Sequence, residues 1–351
     1  MARWKRRPEG STWGDFGPDD QLGRLNLITR EKVLEGIAEV KEGRTFCLSL
    51  PLELPGGNVL NPRRHPPKRY ATIRGGLANY NYPFRRENPD WLDVVSDDAV
   101  LLHTQYSTQW DSFAHVGQLF DADGDGEPEL VYYNGFRAGT HVVAPPAKPG
   151  GIAWDSFEGA EAKALGIQNF AVHGLQGRAV MVDLEKHFGH ARKDVGYDDL
   201  RRVLDADKVE VTRGDMVCFY TGFADVIIGL GGTPDAKTLE TSCATLDGRD
   251  DLLLNWITDS GAAVLIADNY AVESVPSRPG TGKHTAMPLH AHCLFKLGVP
   301  LGEIWFLSEL ALWLRAAKRS RFLLTAPPLR LTGAVGSPAS PIATVYSSVD
   351  N

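Results

Sequence analysis

The alternation of hydrophobic and polar residues divides the chain into predicted strands and a few helices. Apolar residues recur at helical spacing over residues 31–40, where Thr29 can cap the first turn and Gly43 can end the helix. Two further helices are predicted, YDDLRRVLDA (197–206) and LHAHCLFKLG, which ends at Gly298. Short apolar runs bounded by turn residues predict the strands RTFCLSLPLEL, AVLLHTQYSTQWD (99–111), AVMVDL (179–184), GDMVCFYTGF and GAAVLIADNYAVE.

Strands mixed with few helices predict an α/β (mixed α+β) fold with a substantial sheet. A length of 351 residues suits one large domain. We expect the polar, Gly-rich residues 1–30 to form an N-terminal arm and residues 31–351 to form a single domain. The Pro- and Arg-rich segment 56–95 shows little periodicity, and such long excursions usually serve function or pack on a neighbour.

Composition narrows the class of protein. Hydrophobic residues make up 43% of the chain and charged residues 23%, which is ordinary for a globular protein. The net charge of −7 argues against a general nucleic-acid-binding surface. The N-terminal residues are basic but lack an apolar core, and no apolar run reaches about 18 residues, so neither a secretory signal nor a membrane span is predicted. A cytoplasmic protein is therefore expected.

The four cysteines, Cys47, Cys218, Cys243 and Cys293, are scattered and form no CxxC pair, so free thiols in a reducing compartment are expected. Cys243 alone has polar neighbours, but no motif supports a role as nucleophile.

The segment DADGDGEPELVY begins like a calcium-binding loop, with Asp121, Asp123 and Asp125 at the first three ligand positions. The twelfth position should be a bidentate Glu and is Tyr132, so a polar turn is the favoured interpretation.

Two other segments combine residues that can bind metals. Gln109 and Asp111 project from the same face of an extended segment, and His115 can join them if the chain turns after Asp111. In the second segment His290 lies on a predicted helix and Glu303 begins the next element. Together they offer imidazoles and carboxylates, a mixture that suits zinc or manganese.

The first of these segments, HTQYSTQWDSFAH, resembles the motif H-x-G-T-H-x-D-x-P-x-H of the metal-dependent cyclase-like hydrolases, a family that includes kynurenine formamidase, isatin hydrolase and trans-dienelactone hydrolase. Asp111 and His115 match the motif. Gln105 and Gln109 stand where the first two histidines belong, and Phe113 replaces the proline. The form STQWD is similar to that of a longer branch of the family.

Later blocks follow in the same order as in that branch, namely GLQGRAVMVDL, DNYAVE, LHAHCLFKLGVPLGE and GAVGSPASPIA, so the resemblance covers roughly residues 12–345. It implies a swivelling β/β/α fold and hydrolysis, by a metal-activated water, of a C–N or C–O bond in a small cyclic or formylated amide, lactam or lactone. Because carboxamides are weaker ligands than imidazoles, one divalent metal ion, zinc or manganese, is expected rather than two.

The resemblance also assigns roles to individual residues. Expected metal ligands are Gln109, Asp111, His115 and Glu303. Expected catalytic residues are His115, His290 and Glu303. His292 is the alternative to His290 as the downstream histidine.

Expected partners are a small-molecule substrate and further copies of the chain, in a homodimer or homotetramer. The alternative to a hydrolase is a non-catalytic small-molecule-binding protein on the same fold, with a metal site eroded by the two glutamines. A third option is a metal-free hydrolase that uses Cys243 or a serine.

Overall fold

The structure, a computed structural model, describes residues 3–41, 43–145 and 158–346. The strands are β1 (Arg44–Cys47), β2 (Lys68–Ala71), β3 (Ile73–Arg74), β4 (Leu77–Ala78), β5 (Tyr82–Pro83), β6 (Val94–Val95), β7 (Asp98–Leu101), β8 (Gln109–Asp111), β9 (Gln118–Phe120), β10 (Glu129–Val131), β11 (Val142–Val143), β12 (Glu161–Ala162), β13 (Gln176–Asp183), β14 (Lys193–Val195), β15 (Met216–Tyr220), β16 (Ala244–Leu246), β17 (Val264–Ala267), β18 (Leu301–Glu303), β19 (Arg321–Thr325), β20 (Gly336–Pro338) and β21 (Ile342–Val345).

The α-helices are α1 (Arg30–Ala38), α2 (Gln168–His173), α3 (Leu184–Phe188), α4 (Tyr197–Asp207), α5 (Phe223–Gly229), α6 (Ala236–Thr241), α7 (Asp251–Ser260), α8 (Pro288–His290) and α9 (Ser308–Ala316). Helix α8 continues directly into a π-helical stretch, Ala291–Leu297, and Gly298 in the left-handed conformation ends it. Short 3-10 helices cover Gly23–Leu27, Phe84–Arg86 and Tyr133–Gly135.

A curled nine-stranded sheet in the order β1-β21-β19-β13-β15-β17-β18-β8-β20 forms the centre of the molecule. Strands β13, β15, β17 and β18 are parallel, and antiparallel strands extend the sheet on both sides. Every residue of β15 and β17 is buried, as expected for parallel strands that are covered on both faces. The predicted α/β fold with a substantial sheet is therefore confirmed.

Two predicted elements have other bounds in the structure than in the sequence analysis. Helix α1 is confirmed at its start, where the Thr29 side chain accepts a hydrogen bond from the Lys32 amide, but it ends at Ala38, before Gly43. The single strand predicted over residues 99–111 is wrong. The chain turns between β7 and β8, and the turn brings the Thr108 hydroxyl into the interior, where it accepts from the Leu50 amide and donates to the Ile304 carbonyl.

Several helices were not predicted. Helix α7 is one of them, although Asp250 caps it by accepting hydrogen bonds from the amides of Leu252 and Leu253 and Gly261 ends it. Its apolar run merges in the sequence with that of β17, so periodicity alone does not separate the two elements.

The N-terminal segment packs on the π-helical stretch. Trp13 is fully buried, and its indole N–H donates to the Phe295 carbonyl at 2.7 Å. Gly23 lies against the backbone of Gly298, which leaves no room for a side chain at either position. The segment therefore contributes to the support of the helix that carries His290.

Within the 56–95 excursion β3 pairs with β4 and β5 with β6 in short two-stranded ribbons, and β2 pairs with β7, which follows the excursion. Asp121 begins a polar turn between β9 and β10 and accepts hydrogen bonds from the amides of Gly124, Asp125 and Gly126. The four cysteines are free thiols, as predicted.

In the described ranges, no helix combines the length and the apolar character that crossing a bilayer requires.

Candidate metal centre

Strand β8 and its neighbour β18 bring the first two carboxylates of the candidate centre together. Gln109 pairs with Glu303 across the antiparallel ladder, so their side chains lie on one face of the sheet. Asp111, two residues along β8, shares that face, as predicted from the alternation of side chains. All three side chains are buried.

Trp110, on the opposite face of β8, fixes the rotation of the strand. It is fully buried, and its indole N–H donates to the Ala326 carbonyl at 2.7 Å. Its ring packs edge-on against Trp305 at 5.0 Å between centroids, and the Trp305 indole donates to the Gln109 carbonyl at 3.0 Å. Trp110 is thus a core residue, and Phe113 is fully buried against Tyr133 and Phe170.

His290 enters the centre from helix α8, and Glu273 holds it there. A Glu273 carboxylate oxygen lies 2.7 Å from His290 Nδ1 and accepts the His290 amide at 2.8 Å. The other oxygen accepts the Leu289 amide at 3.0 Å, so Glu273 also satisfies the start of the helix. The sequence analysis did not predict Glu273. The feature that could have indicated it is an acidic residue at the end of the DNYAVE block, which follows an apolar strand.

Asp111, His290 and Glu303 each offer one ligand atom, and these atoms lie within 4.8 Å of one another. His290 Nε2 is 3.1 Å from a Glu303 carboxylate oxygen and 3.9 Å from Asp111 Oδ2. None of the three residues exposes more than 3% of its surface. The structure therefore brings together three of the predicted site residues.

The two glutamines contact one oxygen of Asp111. The Gln105 and Gln109 amide nitrogens both donate to Asp111 Oδ1, and Gln109 Nε2 also donates to Glu303 at 3.2 Å. In the described residues, the buried oxygens Asp111 Oδ2 and Gln109 Oε1 have no hydrogen-bond partner. Buried polar atoms rarely stay unsatisfied, so a free carboxylate oxygen beside an imidazole and a second carboxylate fits a divalent cation.

The other two candidate histidines, His115 and His292, do not belong to the group of three. The predicted turn after Asp111 is present, since the His115 amide donates to the Ser112 carbonyl, but His115 stays outside the group of three, with its ring centroid 6.4 Å from that of His290. His292 points away from the centre, and its Nε2 lies 2.9 Å from the Thr258 hydroxyl. Of the two downstream candidates, His290 is the one beside the carboxylates.

Burial and neighbouring charges shift the pKa values of the residues in and beside the centre in different directions. Burial and the nearby Asp111 carboxylate raise the pKa of Glu303. Burial alone would lower the pKa of His290, but its contacts with Glu273 and Glu303 raise that pKa to about 10. Burial lowers the pKa of His115, more than the Asp111 charge raises it. A proton on His290 thus occupies the place between the carboxylates that a cation would take.

The other candidates from the sequence lack these properties. Burial, followed by the charge of Asp268, raises the pKa of Cys243 to about 12, so its thiol is protonated near neutral pH. A second acidic group consists of Asp121, Asp123 and Glu129. Two of its carboxylates form ion pairs within the chain, Asp121 with Arg6 and Glu129 with Arg137.

Comparisons with known proteins agree with this architecture. The Cyclase family model matches residues 79–274, more than half of the chain. A crystal structure described as a novel cyclase is 29% identical, covers 95% of this chain and 97% of its own, and has a TM-score of 0.71. No curated protein matches the chain.

Two isatin hydrolases share the fold at low identity. Isatin hydrolase A from Labrenzia aggregata, bound to benzyl benzoate, is 11% identical over 90% of this chain and 99% of its own, with a TM-score of 0.54. Isatin hydrolase A from Ralstonia solanacearum is 14% identical over 91% and 98%, with a TM-score of 0.51. The sequence resemblance is confirmed, and the chain belongs to the cyclase family.

Proposed function

We propose that the protein is a metal-dependent hydrolase that cleaves a C–N or C–O bond in a small cyclic or formylated amide, lactam or lactone. The observation that carries the proposal is the buried convergence of Asp111, His290 and Glu303 around Asp111 Oδ2, an oxygen without a hydrogen-bond partner among the residues that the structure describes. Family membership and the hydrolases among its structural neighbours support the same class of reaction.

Asp111, His290 and Glu303 would hold the cation, with Gln109 as a further predicted ligand. His115, also predicted as a ligand from the resemblance, lies outside this group, so we assign it proton transfer only. A divalent cation at such a site supplies Lewis-acid chemistry, since it acidifies water and polarises a carbonyl group. Glu273 would orient His290 by accepting a hydrogen bond from Nδ1–H, which leaves Nε2 to face the centre.

His115 would move the proton. It lies beside the group of three, and its lowered pKa keeps the imidazole neutral near pH 7, so that the ring can accept a proton.

Hydrolysis assays on chelator-treated and metal-reconstituted protein test this function. Formanilide, isatin and a simple aryl lactone cover the three bond types, and we expect at least one to be hydrolysed only after zinc or manganese is restored. We expect His115→Gln to lower kcat by about 100-fold, the scale of a lost general base, with metal content unchanged. His284→Gln, at an exposed histidine, is the control and should match wild type. Hydrolysis that persists without metal would contradict the proposal.

One observation favours the alternative of a non-catalytic binding protein. The amide nitrogens of Gln105 and Gln109 already satisfy one oxygen of Asp111 and, in the case of Gln109, contact Glu303, so part of the ligand capacity is used within the chain. A protein that keeps less than about one-tenth of an equivalent of metal after reconstitution, yet still binds small molecules, would support this alternative.

A further inference from the structure

Strands β2 to β7 belong to a region that makes few contacts with the rest of the chain. The structure describes every residue from 68 to 101, and of these only Asn79 and Tyr82 are buried. The strands pair with one another in three two-stranded ribbons, and in the described chain none of them joins the nine-stranded sheet. We call residues 68–101 the ribbon region.

The β2–β7 ribbon has no layer of the protein packed on it. Every residue of β2 is exposed, and so are the first three residues of β7, so both faces of this ribbon are open to water. A ribbon of two strands has little stability in water unless a further strand, a helix or another molecule covers one of its faces. The ribbon region therefore has the properties of a surface that packs on another molecule.

The apolar side chains of the ribbon region support this interpretation. Six large ones have more than half of their surface exposed, namely Tyr70, Ile73, Tyr80, Leu92, Val94 and Val100. Exposed fractions of this size in six such side chains amount to roughly 700 Å², close to the ~800 Å² that each partner buries in a stable interface. Single exposed apolar residues are ordinary, but a set of this size marks an interaction surface.

The charge of the ribbon region favours a second copy of this chain as the partner. The region contains five basic and five acidic residues and is neutral, whereas the whole chain has a net charge of −7. Two copies repel each other through their net charges, and this repulsion is smallest where a neutral surface faces its own copy. A strongly basic or acidic partner would gain no attraction from such a surface.

The two ends of the β2–β7 ribbon carry opposite charges. Arg69 lies near one end, across from Val100, and Asp98 lies at the other end, across from Ala71. Among the described residues neither Arg69 nor Asp98 has an ion-pair partner. When two such ribbons pack antiparallel about a two-fold axis, the basic end of each lies beside the acidic end of the other. The ribbon is thus complementary to itself, as a two-fold interface requires.

We propose that the ribbon region is the surface through which two copies of this chain associate. The β2–β7 ribbons pack antiparallel about a two-fold axis, with Arg69 of each copy beside the partner's Asp98, and the association covers the exposed apolar side chains. This proposal goes beyond the hydrolase function and does not depend on it, because association is measured without metal or substrate.

Sedimentation velocity of the full chain, at about 1 to 100 µM, tests the proposal. We expect wild type to form at least a dimer. Leu92 is 94% exposed in the single chain, so Leu92→Asp should fold normally, but it removes an apolar contact from both copies and should raise the dimer dissociation constant by about 100-fold. Leu119→Asp makes the same change at a leucine of β9 that is 70% exposed, and this control should match wild type.

A mixing experiment tests whether Arg69 and Asp98 meet across the interface. Arg69→Asp and Asp98→Arg each bring like charges together between copies, and each should weaken association by about tenfold. An equimolar mixture of the two variants restores opposite charges only between different chains, so we expect the mixture to associate as tightly as wild type. A contact within one chain cannot produce this rescue.

Three results would overturn the proposal. Wild type that stays monomeric at every concentration excludes self-association, and Leu92→Asp that associates as tightly as wild type places the interface on another surface. A mixture that associates no better than the single variants excludes the antiparallel arrangement. All three results concern molecular mass alone, so the failure of this proposal is distinct from the failure of the hydrolase function, which metal content and turnover decide.

Discussion

At the scale of single residues, the two oxygens of Asp111 have different environments. Oδ1 accepts hydrogen bonds from Gln105 and Gln109, whereas Oδ2 faces His290 and is unpartnered in the described residues. The glutamines thus keep the carboxylate oriented and leave one oxygen for a cation.

Gln109→His tests whether position 109 reaches the metal. An imidazole is a stronger ligand than a carboxamide, so we expect zinc affinity to rise by about tenfold in competition with a chromophoric chelator. Gln109→Leu, which removes both donated hydrogen bonds at similar volume, should bind zinc no better than wild type. Equal affinities for Gln109→His and Gln109→Leu would show that residue 109 only orients the carboxylates.

His292 gives a pH-dependent contribution to stability that His290 does not share. Burial, with the charge of Lys296, lowers the pKa of His292 to about 4. Between about pH 4 and pH 6.5, His292 binds a proton in the unfolded chain, where its pKa is near 6.5, but not in the folded chain. Its contribution to the free energy of unfolding is therefore fully present above about pH 6.5 and is lost as the pH falls towards 4.

Urea unfolding of wild type and His292→Gln at pH 7.5 and pH 5 measures this contribution. We expect the stability advantage of wild type over the variant to shrink by about 1 kcal/mol or more on acidification. An advantage that stays constant, or that grows, would mean that His292 is not the neutral buried residue described here.

At the scale of elements, the helix that carries His290 depends on the close approach of two glycines. Gly298 ends the π-helical stretch at φ +58, and a Cβ there would lie 2.7 Å from the Tyr133 ring and 2.8 Å from Gly23 Cα. The N-terminal segment and the site helix therefore pack through a contact that only glycine permits.

Gly298→Ala should lower the free energy of unfolding by about 2–4 kcal/mol, the combined scale of a left-handed alanine and an overpacked contact. Gly231→Ala is the matched control, because Gly231 has a φ of +59 and no atom within 4 Å of the added Cβ. It should cost only the conformational part, about 1 kcal/mol. Equal losses in chemical denaturation of the two variants would contradict the packing account.

At the scale of the whole molecule, the centre combines residues that are far apart in the sequence. Asp111, Glu273, His290 and Glu303 converge because β17 and β18 are neighbouring parallel strands and β8 pairs with β18. The alternation of side chains predicted the shared face of Gln109 and Asp111, the residue types of the second segment indicated His290 and Glu303, and the family resemblance assigned their roles. None of these could supply Glu273, because its role depends on a turn after β17 that only the folded chain shows.

The central claim is that Asp111, His290 and Glu303 hold a divalent cation, and metal analysis by plasma mass spectrometry tests it most directly. Wild type, Asp111→Asn and the control Asp121→Asn, which makes the same change in the polar turn, are each loaded with zinc or manganese and then desalted. We predict about one ion per chain in wild type and in Asp121→Asn, and a loss of about 90% or more in Asp111→Asn. Equal metal content in all three proteins, or little metal in any of them, would contradict the account.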